Sequence, residues 1–262
     1  MNEGIERAHR DGILSTTSLM VAGPAAADAV RRARCLPALR VGLHLVVVEG
    51  AAALPGACPH IVDAAGQFPS HQVGLGFQYW FSPRIRRQLA LEIAAQYRAF
   101  YATGLMLDHA NAHKHMHLHP TVGRLLIEIG AEFRLRAVRI PFEPGAALRA
   151  AGGRVGWGGP LLGQWTRVLR GQARRAGLVT NDQVFGMAWS GHMTADRLVQ
   201  LASQLPPGLT EIYFHPAAYR DARLDSLMPD YEHEAELAAL LDPEVRQALA
   251  GAGAVLTHYG AV

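Results

Sequence analysis

Short apolar runs alternate with segments of helical period along almost the whole chain, and that alternation confines it to a parallel α/β architecture. The clearest strand is residues 39–48, an almost unbroken apolar run with His44 near its centre. Residues 15–21 form a β-rich run closed by Gly23-Pro24, followed by an alanine-rich helical segment at 25–34. Pro83 opens a helix over 85–101, with Leu89, Ile93, Tyr97 and Phe100 on one face. Further helices are expected over 2–10, 120–133, 161–175, 194–204 and, as two pieces, 230–251; further strands over 137–141, 184–189, 209–216 and 254–259. Residues 49–82 form a long Gly/Pro/Ala-rich connection holding Phe68, Phe77, Tyr79, Trp80 and Phe81, and 144–160 is a Gly-rich segment of ambiguous type. Connections as long as 49–82 tend to be functional.

A chain of 262 residues with 50% hydrophobic content has ample core for one large α/β domain, expected to span 1–262. Its formal charge of +3, from 25 basic and 22 acidic residues, is too weak to argue for nucleic acid. Cys35 and Cys58 lack CxxC spacing, so a disulfide scaffold is not expected and a reducing compartment is the default. No stretch reaches the roughly 18 uncharged apolar residues of a membrane span, and the opening residues do not read as a signal peptide. A cytoplasmic protein is expected.

The residues richest in chemistry are Asp108-His109-Ala110-Asn111-Ala112-His113-Lys114-His115-Met116-His117-Leu118-His119-Pro120, in which five of the 13 histidines fall within eleven positions. They follow the apolar lead-in Gly104-Leu105-Met106-Leu107. On an extended backbone Asn111, His113, His115 and His117 share one face, opposite Lys114 and Met116. Neutral imidazole is a common metal ligand and its pKa suits proton transfer near neutrality. Two or three such side chains suffice for a catalytic metal, the remaining position being left to water. Working residues of α/β folds sit at the carboxyl ends of strands, where His44, His113 and His215 all fall.

Gly42-Leu43-His44-Leu45, the stretch Asn111 through Pro120, Ala137-Val138-Arg139-Ile140-Pro141 and Glu211-Ile212-Tyr213-Phe214-His215-Pro216 occur in an order that resembles the YdjC/ChbG-like carbohydrate deacetylases. The phrase Asn111-Ala112-His113-Lys114-His115 and the opening Asn2 through Arg10 are most similar to the hopanoid-biosynthesis branch, HpnK. The resemblance implies a distorted (β/α) barrel related to the polysaccharide deacetylases, holding a divalent metal, zinc or magnesium. It implies His44 and His113 as metal ligands, His215 as general acid, and Arg139 and His117 beside the substrate. The implied substrate is an N-acetylglucosaminyl hopanoid, a lipid-linked amino sugar met at the inner face of a membrane. The basic helix 161–175, with Arg167, Arg170, Arg174 and Arg175, is a candidate for that contact.

Relatives in that family begin with a strand ending in Asp-Asp-Phe-Gly, whose aspartates supply the third metal ligand and the base. This sequence starts at the helix after it and has no Asp-Asp pair, so the first strand is expected to be missing and the exposed sheet edges to invite a homo-oligomer. Asp108 and Asp63 are the candidate substitutes, although neither matches the family's motif. Two alternatives stay open: a deacetylase of soluble chitin-type oligosaccharides, and an inactive carbohydrate-binding remnant.

Overall fold

The computed structural model describes residues 1–155 and 159–262. The chain runs α1 (Asn2–Arg10), β1 (Thr16–Leu19), α2 (Ala26–Arg34), β2 (Arg40–Leu45), β3 (Gly50–Ala51), β4 (Gln67–Phe68), α3 (Gln72–Phe81), α4 (Pro83–Ala102) and β5 (Leu107–Ala112). It continues through α5 (Pro120–Glu132), α6 (Gly145–Ala150), α7 (Gly159–Arg175), β6 (Gln183–Phe185), α8 (Ala195–Ala202), β7 (Thr210–Ile212), α9 (Ala222–Leu227), α10 (His233–Leu241) and α11 (Pro243–Gly251). Several starts follow directly from sequence. Pro83, Pro120 and Pro243 each stand in the first helical turn, where a missing N–H leaves no bond unmade. Ser82 caps α4 by accepting from the Ile85 N–H, and Asp242 caps α11 by accepting from Glu244.

Contacts divide the chain into two compact units. The larger comprises Thr16–Ile140, Leu162–Thr180 and His258–Val262. Its centre is a parallel sheet in the order β1-β2-β5, with Thr16 opposite Arg40, Ser18 opposite Gly42 and His44 opposite Asn111. Parallel neighbours require crossovers, which α2 supplies between β1 and β2, and α3 with α4 between β2 and β5. Leu43, Leu45, Leu89, Ile93, Tyr97 and Leu126 are buried here. At the β5 edge the parallel arrangement continues only as single bridges, Ala110 with Val138 and Ala137 with Val179, so the strand expected over 137–141 is two isolated pairings.

The smaller unit comprises Met1–Ser15, Pro141–Leu161 and Asn181–Thr257. It pairs β6 with β7 in parallel and packs Leu148, Phe185, Trp189, Met193, Leu198 and Leu201 into one core. The expected strand over 254–259 joins no ladder. Residues 144–160 fall partly outside the described residues, and within the described part α6 is helical. The long connection 49–82 is more ordered than its composition suggests: a small antiparallel pair, β3 with β4, leads into α3. Among the described residues no helix is long and apolar enough to cross a membrane.

Candidate active site

The site is built on the carboxyl ends of β2 and β5. His44 is the penultimate residue of β2, and its Nδ1 lies 2.6 Å from Oδ1 of Asn111, its register partner on β5. A carbonyl oxygen can only accept, so His44 carries its proton on Nδ1 and its lone pair on Nε2. His113, immediately after β5, stands edge-on to His44 with ring centroids 5.7 Å apart. Burial pushes the His113 pKa down, favouring the neutral ring that donates a lone pair.

The strand does not carry on through the histidines. Lys114 (φ 50°) and His115 (φ 54°) are both left-handed, and 113–118 is a tight helical turn. The shared face expected of Asn111, His113, His115 and His117 is therefore corrected: only Asn111 is in the strand, and the turn reorients the rest. Two consecutive non-glycine residues in this region carry strain of about 1–2 kcal/mol each. The surroundings hold them there. Lys114 is ion-paired with Glu49, and its carbonyl accepts from Gln72 Nε2 at 2.9 Å. Turning the chain sends His117 back into the interior, where it is fully buried and its Nε2 donates to the Arg139 carbonyl at 3.0 Å. Burial and the neighbouring His115, Arg139 and His44 push its pKa well down, the Arg139 carbonyl opposing them. Arg139 is itself 8% exposed.

His215 lies in the smaller unit, just beyond β7. Its backbone N–H donates to Glu236, its carbonyl accepts from His233 Nδ1, and its ring stands edge-on between Tyr213 and Tyr231. The two substitute carboxylates are both engaged elsewhere. Asp63 accepts from the Ala65 and Gln67 N–H groups of its own turn. Asp108 accepts from the His109 imidazole at 2.9 Å and from the Gly260 N–H at 3.1 Å. Burial raises the Asp108 pKa, but His109, Gly260 and His258 together outweigh it and hold the carboxyl below its ordinary value.

The aromatic run of α3 divides in two. Tyr79 is core and donates to the Val47 carbonyl at 2.7 Å, whereas Phe77 and Phe81 stack on each other in the open, 63% and 70% exposed. Trp80 meets His119 and Trp165 edge-on. On α7, Leu169 and Ala173 are buried but Val168 is exposed. Ser18, in the hydroxyl-rich strand Thr16–Leu19, was given no site role by sequence, and His109 was counted only among the clustered histidines, although the adjacent Asp108-His109 pair was an available signal.

Two imidazoles suit a divalent metal at His44 and His113. Among the described residues no group of three His, Cys, Asp or Glu is placed to hold one, so the side chains present fit two positions of such a site and not a third.

A parallel α/β chain with histidines gathered at its strand ends defines the class. Residues 1–251 match the family model of the YdjC-like proteins, and the chain belongs to that family. It is 29% identical to a carbohydrate deacetylase of Geobacillus stearothermophilus over 99% of this chain and 91% of that protein. A carbohydrate deacetylase of Vibrio vulnificus is 35% identical over 52% of this chain, a match spanning about half (51%) of the Vibrio protein. In fold it is similar to the crystal structure of a putative cellobiose-phosphate cleavage protein from Enterococcus faecalis, with a TM-score of 0.76 at 21% identity, covering 99% of this chain and 92% of that one.

Proposed function

We propose that this protein is a metal-dependent carbohydrate N-deacetylase that removes acetyl from an N-acetylated amino sugar, of the N-acetylglucosaminyl hopanoid type. The observation that carries the reading is the His44–His113 pair: two imidazoles edge-on at adjacent strand ends, one with its tautomer set by Asn111 and the other kept neutral by burial. These two would hold a divalent metal, zinc or magnesium, which when bound lowers the pKa of a water and polarises an amide carbonyl. The names of the curated relatives supply the class of substrate. The lipid part rests on the similarity of Asn111 through His115 and of the opening helix to the hopanoid branch.

Each side chain has a stated task. His44 and His113 present lone pairs. His117 ties the turn to the Arg139 backbone, and the Arg139 side chain is assigned to substrate contact. His215 is assigned the proton for the departing amine on its His-Pro motif. The exposed Phe77 and Phe81 offer flat apolar faces for a sugar or its apolar substituent.

Acetate release tests the reading with two substrates, a soluble N-acetylglucosamine disaccharide and an N-acetylglucosaminyl lipid, each with zinc and with a chelator. Zinc-dependent release from the lipid is expected. Release from the disaccharide alone would transfer the activity to chitin-type oligosaccharides, and glycan binding without turnover would mark a carbohydrate-binding protein.

A further inference from the structure

Behind His44 lies a polar relay, half-buried at Ser18 and buried at Asn111, His109 and Asp108. The Asp108 carboxylate can only accept, so the His109 Nδ1, 2.9 Å away, donates to it. A neutral His109 then presents a lone pair at Nε2, 3.0 Å from Ser18 Oγ, and the serine hydroxyl donates to it. Ser18 Oγ in turn accepts from Asn111 Nδ2 at 2.9 Å, and Asn111 Oδ1 accepts from His44 Nδ1 at 2.6 Å. Every donor from His44 onward points the same way, toward Asp108. Hydrogen bonds aligned in one direction polarise and strengthen one another.

The sheet is shaped to allow this. Ser18 is on β1 and His109 on β5, with β2 between them. The His109 ring crosses that middle strand directly over Gly42, where a Cβ would meet its Cε1 and Nε2 at 2.6 Å. His109 is 1% exposed and Asn111 fully buried. At the far end the C-terminal segment closes on the anchor: the Gly260 N–H donates to Asp108, and the Tyr259 ring lies 5.0 Å from that of His109.

We infer that Asp108, His109, Ser18 and Asn111 are positioning residues that lock His44 as its Nδ1–H tautomer, presenting the Nε2 lone pair for ligation, and that the C-terminal segment belongs to this device. The inference rests on His44 serving the proposed site, but its test does not need turnover.

The full chain, labelled with 15N in histidine, is examined by long-range proton–nitrogen correlation, the His44 signals being assigned by their loss in His44→Gln. Wild type is expected to show His44 protonated on Nδ1 only. Ser18→Ala and the nearly isosteric Asp108→Asn should each give mixed tautomers, Ser18→Thr should restore the wild-type pattern, and zinc affinity should weaken roughly 10–100-fold in Ser18→Ala. An Nε2–H tautomer in wild type overturns the inference, as does an unchanged His44 signal in both Ser18→Ala and Asp108→Asn. Absent acetate release with an intact tautomer lock would instead count against the proposed function alone.

Discussion

Replacing Gly42 by alanine tests how tightly the buried face of β2 is fitted. The backbone there is ordinary strand, so the effect is steric: the new Cβ would sit 2.6 Å from the His109 ring, and ordinary contact begins at 3.4 Å. The ring would have to retreat by the difference, about 0.8 Å. It has nowhere to go without loosening its bonds to Asp108 (2.9 Å) and Ser18 (3.0 Å). A bond to a charged carboxylate contributes about 1.5–3 kcal/mol and a neutral one about 1 kcal/mol. Overpacking adds about 1–3 kcal/mol, and partial relaxation recovers some of the total. A loss of about 3 kcal/mol is expected, read as a lower midpoint in urea unfolding at unchanged slope. Gly163→Ala on α7 is the control, because nothing among the described residues lies within 4 Å of its added Cβ; it should gain up to about 1 kcal/mol from helix propensity. A loss below about 1 kcal/mol for Gly42→Ala would refute the fitted His109 seat.

Asp108 is held below its ordinary pKa, so its contribution to stability is present above the unfolded value and lost as pH falls through the range beneath it; the deficit of Asp108→Asn in urea unfolding should therefore be largest near neutrality and shrink on acidification. Tyr79→Phe removes the donor to the Val47 carbonyl inside the core and should cost about 1 kcal/mol in the same assay, with little change if that carbonyl finds another partner. Changing Arg167, Arg170, Arg174 and Arg175 to serine should weaken binding to anionic vesicles by about 1 kcal/mol for each arginine that reaches the surface, while unchanged binding would remove α7 from any membrane contact.

Where local chemistry and tertiary packing agree, the sequence was sufficient. Pro83 and Pro120 started α4 and α5 where a first-turn proline belongs, and the apolar run around His44 became the central strand. The histidine stretch was found but its geometry was not. Periodicity assumes a continuous backbone, and two left-handed residues, stabilised by Glu49 and Gln72 from distant positions, end the strand one residue after Asn111. Residues 137–141 and 254–259 have strand composition yet find too few partners for a ladder. Ser18 escaped notice because its importance lies in what Gly42 lacks, a side chain between β1 and β5. No local pattern reports a contact made across an intervening strand.

The most direct test of the central claim is acetate release from an N-acetylglucosaminyl lipid by the wild-type chain, His44→Ala and His113→Ala, each with zinc and with chelator. The account predicts zinc-dependent release by wild type, lost on chelation and reduced at least about a hundredfold in either variant. Release that survives the chelator, or that persists in both histidine variants, would contradict it.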